Sequence, residues 1–307
     1  MIDAVMLQCV KFTIASLALM PQRLRITFLA NVFKFGTLFV PSYRRISHIN
    51  LTLAFPDKDK TWRDDLINKN FYSLATAISD FVRMPTLTPE WVKEHVEFPY
   101  YEKYKKYKAE NPTKGILAAT GHLGSFELQG YLMSVLGFPL GFVIRNFKSE
   151  KIDNWWNARR GKLGNKNINR RGAFRELVRE LKRGFDVGIL FDQNVKRSHA
   201  VFVPWFGKNA ATAKSLALAA LETEALVVVV SLKTLAIDSY YMDVIECDFS
   251  HIYSDETLSR QEKILQITTI VSKHYEKMIQ DFPEGWFWMH RRWKTSERED
   301  VPETFYK

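Results

Sequence analysis

Residues 115–136 read GILAATGHLGSFELQGYLMSVL and join a short apolar run to a longer one through a turn. The run 115–120 predicts a buried strand, because short continuous apolar runs bounded by turn residues are typical of strands covered on both faces. Gly121-His122 marks the turn. Residues 126–136 are predicted to form a buried helix. The stretch therefore predicts a strand–turn–helix unit.

Strands and helices keep alternating along the rest of the chain. We predict strands at 140–145, 186–191, 226–232 and 240–246, with an extended segment at 201–205. Predicted helices cover 62–83, 151–161, 174–182, 213–224 and 258–282. This alternation predicts an α/β fold with a mainly parallel central sheet flanked by helices.

The composition predicts anionic partners. The formal net charge is +10, which suits nucleic acid, acidic membrane lipid or an acidic carrier protein. The chain also has 22 Phe and 8 Trp, and aromatic with basic side chains is typical of a membrane interface. A basic soluble enzyme with an aromatic core is the alternative.

The N-terminal region is predicted to be helical and associated with a membrane. Two mostly apolar stretches, 1–20 and 26–40, are interrupted by Asp3 and Lys11 in the first and by Lys34 in the second. Neither is a clean span of ~20 apolar residues, and no signal-peptide pattern is evident. We expect one uncleaved anchor or two amphipathic helices lying in the interface, with two ordinary buried helices as the alternative.

His122 and Glu127 are the first candidates for chemistry. A histidine can take a proton from a hydroxyl group, and a carboxylate can orient the ring and stabilise its charged form. Five residues turn an ideal helix through about 500°, so the two side chains meet only if His122 lies in the turn and Glu127 in the helix. The spacing also fits a helix start with an incidental histidine and an exposed glutamate.

Polar side chains follow three of the predicted strands. His122 comes after the first, Arg145-Asn146 after the second and Asp192-Gln193-Asn194 after the third. Carboxyl ends of parallel strands meet at one edge of a sheet and commonly carry functional residues. We therefore expect these side chains to converge.

Several motifs, taken in order, make the chain resemble the bacterial lipid A biosynthesis late acyltransferases, the lauroyl and myristoyl transferases of the lysophospholipid acyltransferase superfamily. They span about residues 40–295. They are Arg45 with NLTLAFP (50–56), GHLGSFE (121–127), RGKLG (160–164), LKRG (181–184), FDQ (191–193), VFVPWFG (201–207) with Ala211-Thr212, and PEGWFWMHRRWK (283–294).

The resemblance implies transfer of a fatty acyl group from acyl carrier protein to a hydroxyl of a lipid A precursor, at the cytoplasmic side of the inner membrane. We predict a membrane anchor or interfacial helices in residues 1–45 and an acyltransferase catalytic domain in 46–307. The resemblance also implies that His122 is the general base, supported by Glu127. Ser125 stands where many members have Asn, and Gly285 where Gln is usual, which leaves the particular substrate open.

Three further residues are predicted to support the site. Backbone N–H groups at the helix start after Gly121 are candidates for stabilising the oxyanion of the reacting thioester. Arg160 matches a polar site position of the family and is suited to a substrate phosphate, with a plain surface arginine as the alternative. Asp192 is predicted to pair with Arg160 or support the site, or else to cap a turn.

The acyl chain is predicted to lie in a pocket walled by Leu128, Tyr131 and Leu132, which sets one preferred length of twelve to sixteen carbons by family resemblance. No metal or cofactor is expected, since Cys9 and Cys247 are far apart and no ligand cluster is evident. The thiols predict a reducing, cytosol-facing location.

Other features allow two interpretations each. The lysines at 103, 105, 106 and 108 fit a docking surface or a solvated helix face. Trp286, Trp288 and Trp293 fit a lipid contact or a core, and His290 is interpreted as structural. A related acyltransferase with another glycolipid or lysophospholipid acceptor is the nearest alternative. A nucleic-acid-binding protein is the other, although no such motif is present.

Overall fold

The structure is a computed structural model that describes residues 2–144, 147–169, 172–298 and 305–306. Its strands are β1 (Val96–Glu97), β2 (Ile116–Thr120), β3 (Leu140–Ile144), β4 (Lys166–Asn169), β5 (Asp186–Leu190), β6 (Ala200–Trp205), β7 (Lys208–Ala213), β8 (Leu226–Ala236) and β9 (Ser239–Cys247). Its helices are α1 (Ile2–Leu19), α2 (Gln22–Phe39), α3 (Pro41–Ala54), α4 (Lys60–Arg83), α5 (Pro89–His95), α6 (Tyr101–Glu110), α7 (Phe126–Val135), α8 (Glu150–Arg160), α9 (Ala173–Leu181), α10 (Ser215–Thr223), α11 (Ser250–Ser254) and α12 (Arg260–Asp281).

Seven of these strands form one sheet in the order β1-β9-β8-β2-β5-β3-β4. The pairs from β8 through β2, β5 and β3 to β4 are parallel, whereas β9 runs antiparallel to β8. Strands β6 and β7 pair separately as an antiparallel hairpin. The predicted α/β fold with a mainly parallel sheet is confirmed.

Helices cover both faces of the sheet, and β2 shows why its residues are all apolar. Leu117 and Ala119 pack in a core with residues of α9, α10 and α12. Ile116 and Ala118 face the opposite way, toward α6 and α7. Successive side chains of a strand point to opposite faces, so a central strand buried on both sides needs a continuous apolar run.

Three strands lie where none was predicted. β1 is a two-residue strand beside β9, β4 joins the sheet beside β3, and β7 occupies residues before and at the predicted start of the helix 213–224. That helix begins instead at Ser215 as α10. The remaining predicted strands and helices are present, with ends shifted by a few residues.

The N-terminal helices pack against α4. Arg25 of α2 is buried; its Nε–H donates to Ser79 Oγ at 2.8 Å and its guanidinium donates to the Leu17 carbonyl at 3.1 Å, which ties the α1–α2 turn to α4. Among the described residues, no single helix is long and apolar enough for a membrane span. Helices α2 and α3 meet that test only together, across a bend of 99°.

Candidate active site

The centre of the site lies at the carboxyl ends of β2 and β5. These strands are parallel neighbours in which Thr120 is opposite Leu190, and the Phe191 N–H donates to the Thr120 carbonyl at 3.0 Å. His122 and Asp192 each follow two residues beyond that paired position. The register of the two strands therefore brings together residues that are 70 positions apart in sequence.

Asp192 holds His122 by two hydrogen bonds. Nδ1–H of the ring donates to Asp192 Oδ1 at 2.9 Å, and the backbone N–H of His122 donates to Oδ2 at 2.8 Å. Trp286 Nε1–H adds a third donor to Oδ2 at 2.8 Å. The His122 side chain is 24% exposed and that of Asp192 only 2%, so substrate can reach the imidazole but not the carboxylate.

The contacts assign the imidazole tautomer. An ionised carboxylate can only accept, so Nδ1 carries the proton and Nε2 carries the lone pair. Nε2 lies 3.3 Å from the amide nitrogen of Gln193, a donor. The rings of Phe126 and Phe287 lie beside the imidazole at centroid distances of 4.9 and 6.2 Å. Nε2 is therefore oriented as a proton acceptor among apolar walls.

Electrostatics favour the charged form of the pair. Burial alone lowers the pKa of His122, but the charge and hydrogen bond of Asp192 outweigh it and the pKa lies above the ordinary value of 6.5. Burial raises the pKa of Asp192, yet His122 and the other donors hold that pKa below its ordinary value. Asp192 is thus an ionised carboxylate placed to stabilise an imidazolium.

Glu127 makes a different contact from the predicted one. It forms a two-pronged ion pair with Arg160 of α8, in which Arg160 Nε–H donates to Oε2 at 3.0 Å and a terminal N–H donates to Oε1. Because α7 begins at Phe126, Glu127 lies in its first turn and turns toward α8. This corrects two predicted pairings, Glu127 with His122 and Asp192 with Arg160, since both carboxylates have other partners.

Gly121 is required by the close approach of Asp192. A Cβ atom at this position would lie 2.4 Å from Asp192 Cγ, so any other residue would displace the carboxylate. Gly124 has φ +62°, and a Cβ there would lie 2.0 Å from the Leu232 carbonyl oxygen. The two glycines allow the turn to hold His122 against Asp192.

The predicted oxyanion donors are the N–H groups at the start of the helix after Gly121, and that helix is α7. The N–H groups of His122, Gly124 and Ser125 are bonded to Asp192, Gly285 and Leu232. The first N–H groups of a helix have no partner within it, and Ser125 makes no side-chain capping bond, so the groups at Phe126 and Glu127 of α7 remain available.

A cavity of about 1400 Å³ opens beside His122. One part lies between the sheet and α7 and is mostly apolar. Its walls include Ile116, Ala118, Tyr131, Phe142, Val228, Val230 and Met242. Of the three predicted pocket residues only Tyr131 lines it. Leu128 and Leu132 are on the other side of α7, in a core with Phe81 and Val92 of α4 and α5, because a helix presents different residues to each neighbour.

The remaining candidates are resolved as structural contacts. Trp286, Trp288 and Trp293 are buried, so the core interpretation is confirmed, and Trp286 also binds Asp192. His290 Nε2 accepts from the Asn194 N–H at 2.8 Å, and burial lowers the pKa of His290 to about 4. The contact of Trp286 with the site was not predicted, since nothing in its local sequence indicates one.

Two further predictions have plain outcomes. Each lysine of the run at 103, 105, 106 and 108 has a carboxylate partner in an ion pair. The first three are exposed, as on a solvated helix face, whereas Lys108 points inward to the buried Asp186. Arg145-Asn146 lies outside the described residues. Among those described, no group of three or more His, Cys, Asp or Glu side chains could hold a metal ion.

A histidine base held by a carboxylate beside an apolar cavity suits an enzyme that transfers acyl groups to hydroxyls. The family model for bacterial lipid A biosynthesis acyltransferases matches residues 5–295, and the chain belongs to that family. It is an acyltransferase.

Three relatives illustrate the similarity. The chain is 27% identical to the lipid A biosynthesis palmitoleoyltransferase of Escherichia coli (strain K12) over 268 residues, which is 85% of this chain and 83% of the relative. It is 26% identical to the lauroyltransferase of the same strain over 278 residues, 89% and 85% of the two chains. Identity to the myristoyltransferase of that strain is 23% over 198 residues, 64% and 61% of the two chains.

Proposed function

We propose that the protein transfers a fatty acyl group from acyl carrier protein to a hydroxyl group of a lipid A precursor. The observation that carries this proposal is His122 Nε2, fixed by Asp192 at the mouth of an apolar cavity. The relatives support acyl transfer as the reaction, since they are named as lipid A transferases of three different acyl groups.

The reaction follows from the tautomer of His122. Nε2 takes the proton of the acceptor hydroxyl while the oxygen of that hydroxyl attacks the thioester carbonyl carbon. The N–H groups of Phe126 and Glu127 donate to the oxyanion that forms. The carbon–sulfur bond then breaks, and the imidazolium returns its proton to the leaving thiolate. Asp192 stabilises the imidazolium between these two steps.

Glu127 and Arg160 complete the mouth of the cavity, which both side chains line. The Glu127 charge also raises the pKa of His122, but by less than Asp192 does. We infer that this ion pair holds α7 against α8 and keeps the first N–H groups of α7 aimed at the reacting carbonyl. Arg160 is already bound at both prongs by Glu127, which makes it a weak choice as the main phosphate ligand.

The apolar part of the cavity is proposed to hold the acyl chain. Ile116, Ala118 and Thr120 of β2 line it along one face. The four steps from Thr120 to Ile116 cover about 13 Å at the usual strand rise. An extended alkyl chain advances ~1.25 Å per carbon, because its bonds of about 1.5 Å zigzag, so this floor spans about ten carbons. The acyl carbons that lie beside His122 add to the carbons along β2, so the cavity fits a medium to long acyl chain.

The reaction is proposed to need no metal or other cofactor. The donor thioester is already activated, His122 supplies the base and backbone N–H groups supply the oxyanion donors. We expect full activity after treatment with EDTA and dialysis. Loss of activity that one added metal restores would refute this part of the proposal.

The N-terminal helices are proposed to attach the protein to the cytoplasmic face of the inner membrane. Exposed apolar side chains are concentrated on α1 and α2. They include Val5, Met6, Phe12, Leu19, Leu24, Phe28, Val32, Phe35, Leu38 and Phe39. Contiguous apolar surface of this kind is typical of a protein or membrane contact.

The test is an assay with the purified full chain in detergent. Acyl-loaded carrier protein is the donor, and a lipid A precursor, another glycolipid and a lysophospholipid are offered as separate acceptors, with products identified by mass spectrometry. We expect transfer to the lipid A precursor and none from the His122→Ala variant. Preferential acylation of another acceptor would keep the acyltransferase but replace the proposed substrate. Binding of nucleic acid with no transfer at all would reject the proposal.

A further inference from the structure

The cavity is also lined by a set of polar and basic residues close in sequence or paired in space. They are Gln193, Asn194, Lys196, His199, Lys214 and Ser215, and apolar residues such as Val195 and Leu218 lie among them. Gln193 touches His122, so this set of residues begins at the base itself. The polar and charged side chains among them find no partners on an apolar acyl chain, so they suit a polar part of one substrate.

Three of these residues have their backbones brought together at the open end of the β6–β7 hairpin. Ala200 is paired with Ala213, and the Lys214 N–H donates to the His199 carbonyl at 3.2 Å, so His199 and Lys214 lie opposite each other at the open end of the hairpin. The His199 N–H donates to the Lys196 carbonyl at 2.9 Å, which adds Lys196 to the cluster. Lys196 lies three residues after Gln193, so the Cα atoms of these two residues are at most ~11 Å apart.

The charge of this cluster is not balanced by the cavity. The acidic side chains that line the cavity are Glu127 and Asp186, and each is bound in an ion pair, with Arg160 and Lys108. Lys196 and Lys214 form no ion pair with any carboxylate in the described part of the chain. Lysines that line a cavity without a counter-charge attract an anion, and an ammonium group is a good ligand for phosphate.

We propose that Lys196, His199 and Lys214 form a phosphate-binding subsite beside the catalytic base. The phosphoryl group has two possible sources, a phosphate on the acceptor lipid and the phosphopantetheine arm of the donor. Which source applies rests on the proposed function, whereas phosphate binding itself does not. The subsite positions a phosphorylated substrate with its reacting group at His122 Nε2.

Binding is tested first, without turnover. Inorganic phosphate is titrated by calorimetry into the full-length protein in neutral detergent. The variants are the double substitution Lys196→Gln with Lys214→Gln, each single substitution, and the control Lys208→Gln, which removes one positive charge from the closed end of the same hairpin and so matches the single substitutions. We expect saturable binding to wild type and control, and at least about 10-fold weaker binding to the double variant. No binding to wild type, or equal binding to wild type, control and double variant, overturns the subsite.

Kinetics then identify the source of the phosphate. The double variant should keep kcat within about 2-fold, since neither lysine touches the reacting atoms, while the KM of the phosphate-bearing substrate rises about 10-fold. A rise confined to the acceptor KM assigns an acceptor phosphate, and a rise confined to the donor KM assigns phosphopantetheine. Unchanged KM values for both overturn the subsite. If wild type binds phosphate but transfers no acyl group, the proposed function fails and the subsite stands.

Discussion

At the scale of single residues, the site depends on which carboxylate touches His122. The five-residue spacing drew attention to Glu127, yet the nearer partner is Asp192, 70 positions away. The sequence could identify the four polar residues of the site, because His122 and Asp192 follow strands and the other two lie in neighbouring helices. Those two are Glu127 and Arg160. The sequence could not pair the four residues, since pairing depends on the register of β2 against β5 and on where α7 begins.

Replacement of His122 tests the base. We expect His122→Ala to lower kcat by at least ~10²-fold, the lower range for loss of a positioned general base. His122 is partly exposed to the cavity, so the variant should fold, which circular dichroism and the unfolding temperature will check. Activity within a few-fold of wild type in a folded variant would remove His122 from the mechanism.

Replacement of Asp192 tests the electrostatics of the pair. The base acts when neutral, so kcat/KM should fall as pH drops through the raised pKa of His122, above about 6.5. Asp192→Asn removes the charge that raises this pKa while burial, which lowers it, remains. The acidic limb should therefore move to lower pH, and the maximal rate should drop because an amide can also donate to Nδ1 and favour the wrong tautomer.

Glu127→Gln is the matched comparison for that shift. Glu127 raises the pKa of His122 less than Asp192 does, so its removal should move the acidic limb in the same direction by a smaller amount. pH profiles of kcat/KM for the three proteins decide the order. A larger shift for Glu127→Gln than for Asp192→Asn would restore Glu127 as the main partner of His122.

At the scale of elements, the sequences of two missed strands, β4 and β7, explain why neither was predicted. β4 reads KNIN and lies at the sheet edge, where only Ile168 is buried. Neither a continuous apolar run nor a clear alternation marks such a strand. β7 is rich in small residues and depends on β6, to which a two-residue turn joins it. Phe206 and Gly207 both have positive φ in that turn, as a tight hairpin requires.

The apolar part of the cavity gives a prediction for acyl length. Ile116→Ala enlarges the end of the cavity floor along β2 that is farthest from His122. The kcat/KM of longer acyl donors should therefore rise relative to that of the donor preferred by the wild type. Each additional buried CH₂ contributes roughly 0.8 kcal/mol, so a two-carbon change shifts relative kcat/KM by about 15-fold. Competition between carrier-protein donors of different length measures the preference.

Leu132→Ala is the control for this prediction. It removes a similar side chain from α7, but Leu132 does not line the cavity and packs in a core with Phe81 and Val92. It should cost about 2–5 kcal/mol of stability and leave the preferred length unchanged. A shift in preference for Leu132→Ala, or none for Ile116→Ala, would show that the floor of β2 does not measure the chain.

At the scale of the whole molecule, composition predicted the N-terminal helices but not the surface that they present. Apolar residues are frequent along both helices, and packing alone decides which are covered. Ile26 and Ala30 of α2 are buried against α4, whereas Phe28 and Phe35 are exposed. The alternative of two ordinary buried helices does not account for that exposed surface.

Membrane attachment through this surface gives the last prediction. We expect the combined substitution of Phe12, Phe28 and Phe35 by Glu to weaken binding to anionic phospholipid vesicles at least 10-fold, because each buried aromatic ring contributes about 1.5–3 kcal/mol. Leu265 is exposed on α12, so Leu265→Glu is the control and should leave binding unchanged. Cosedimentation measures binding. In detergent, the triple variant should keep its acyl-transfer activity, because the substitutions lie away from β2 and β5. Equal sedimentation of wild type, triple variant and control would place the membrane contact elsewhere.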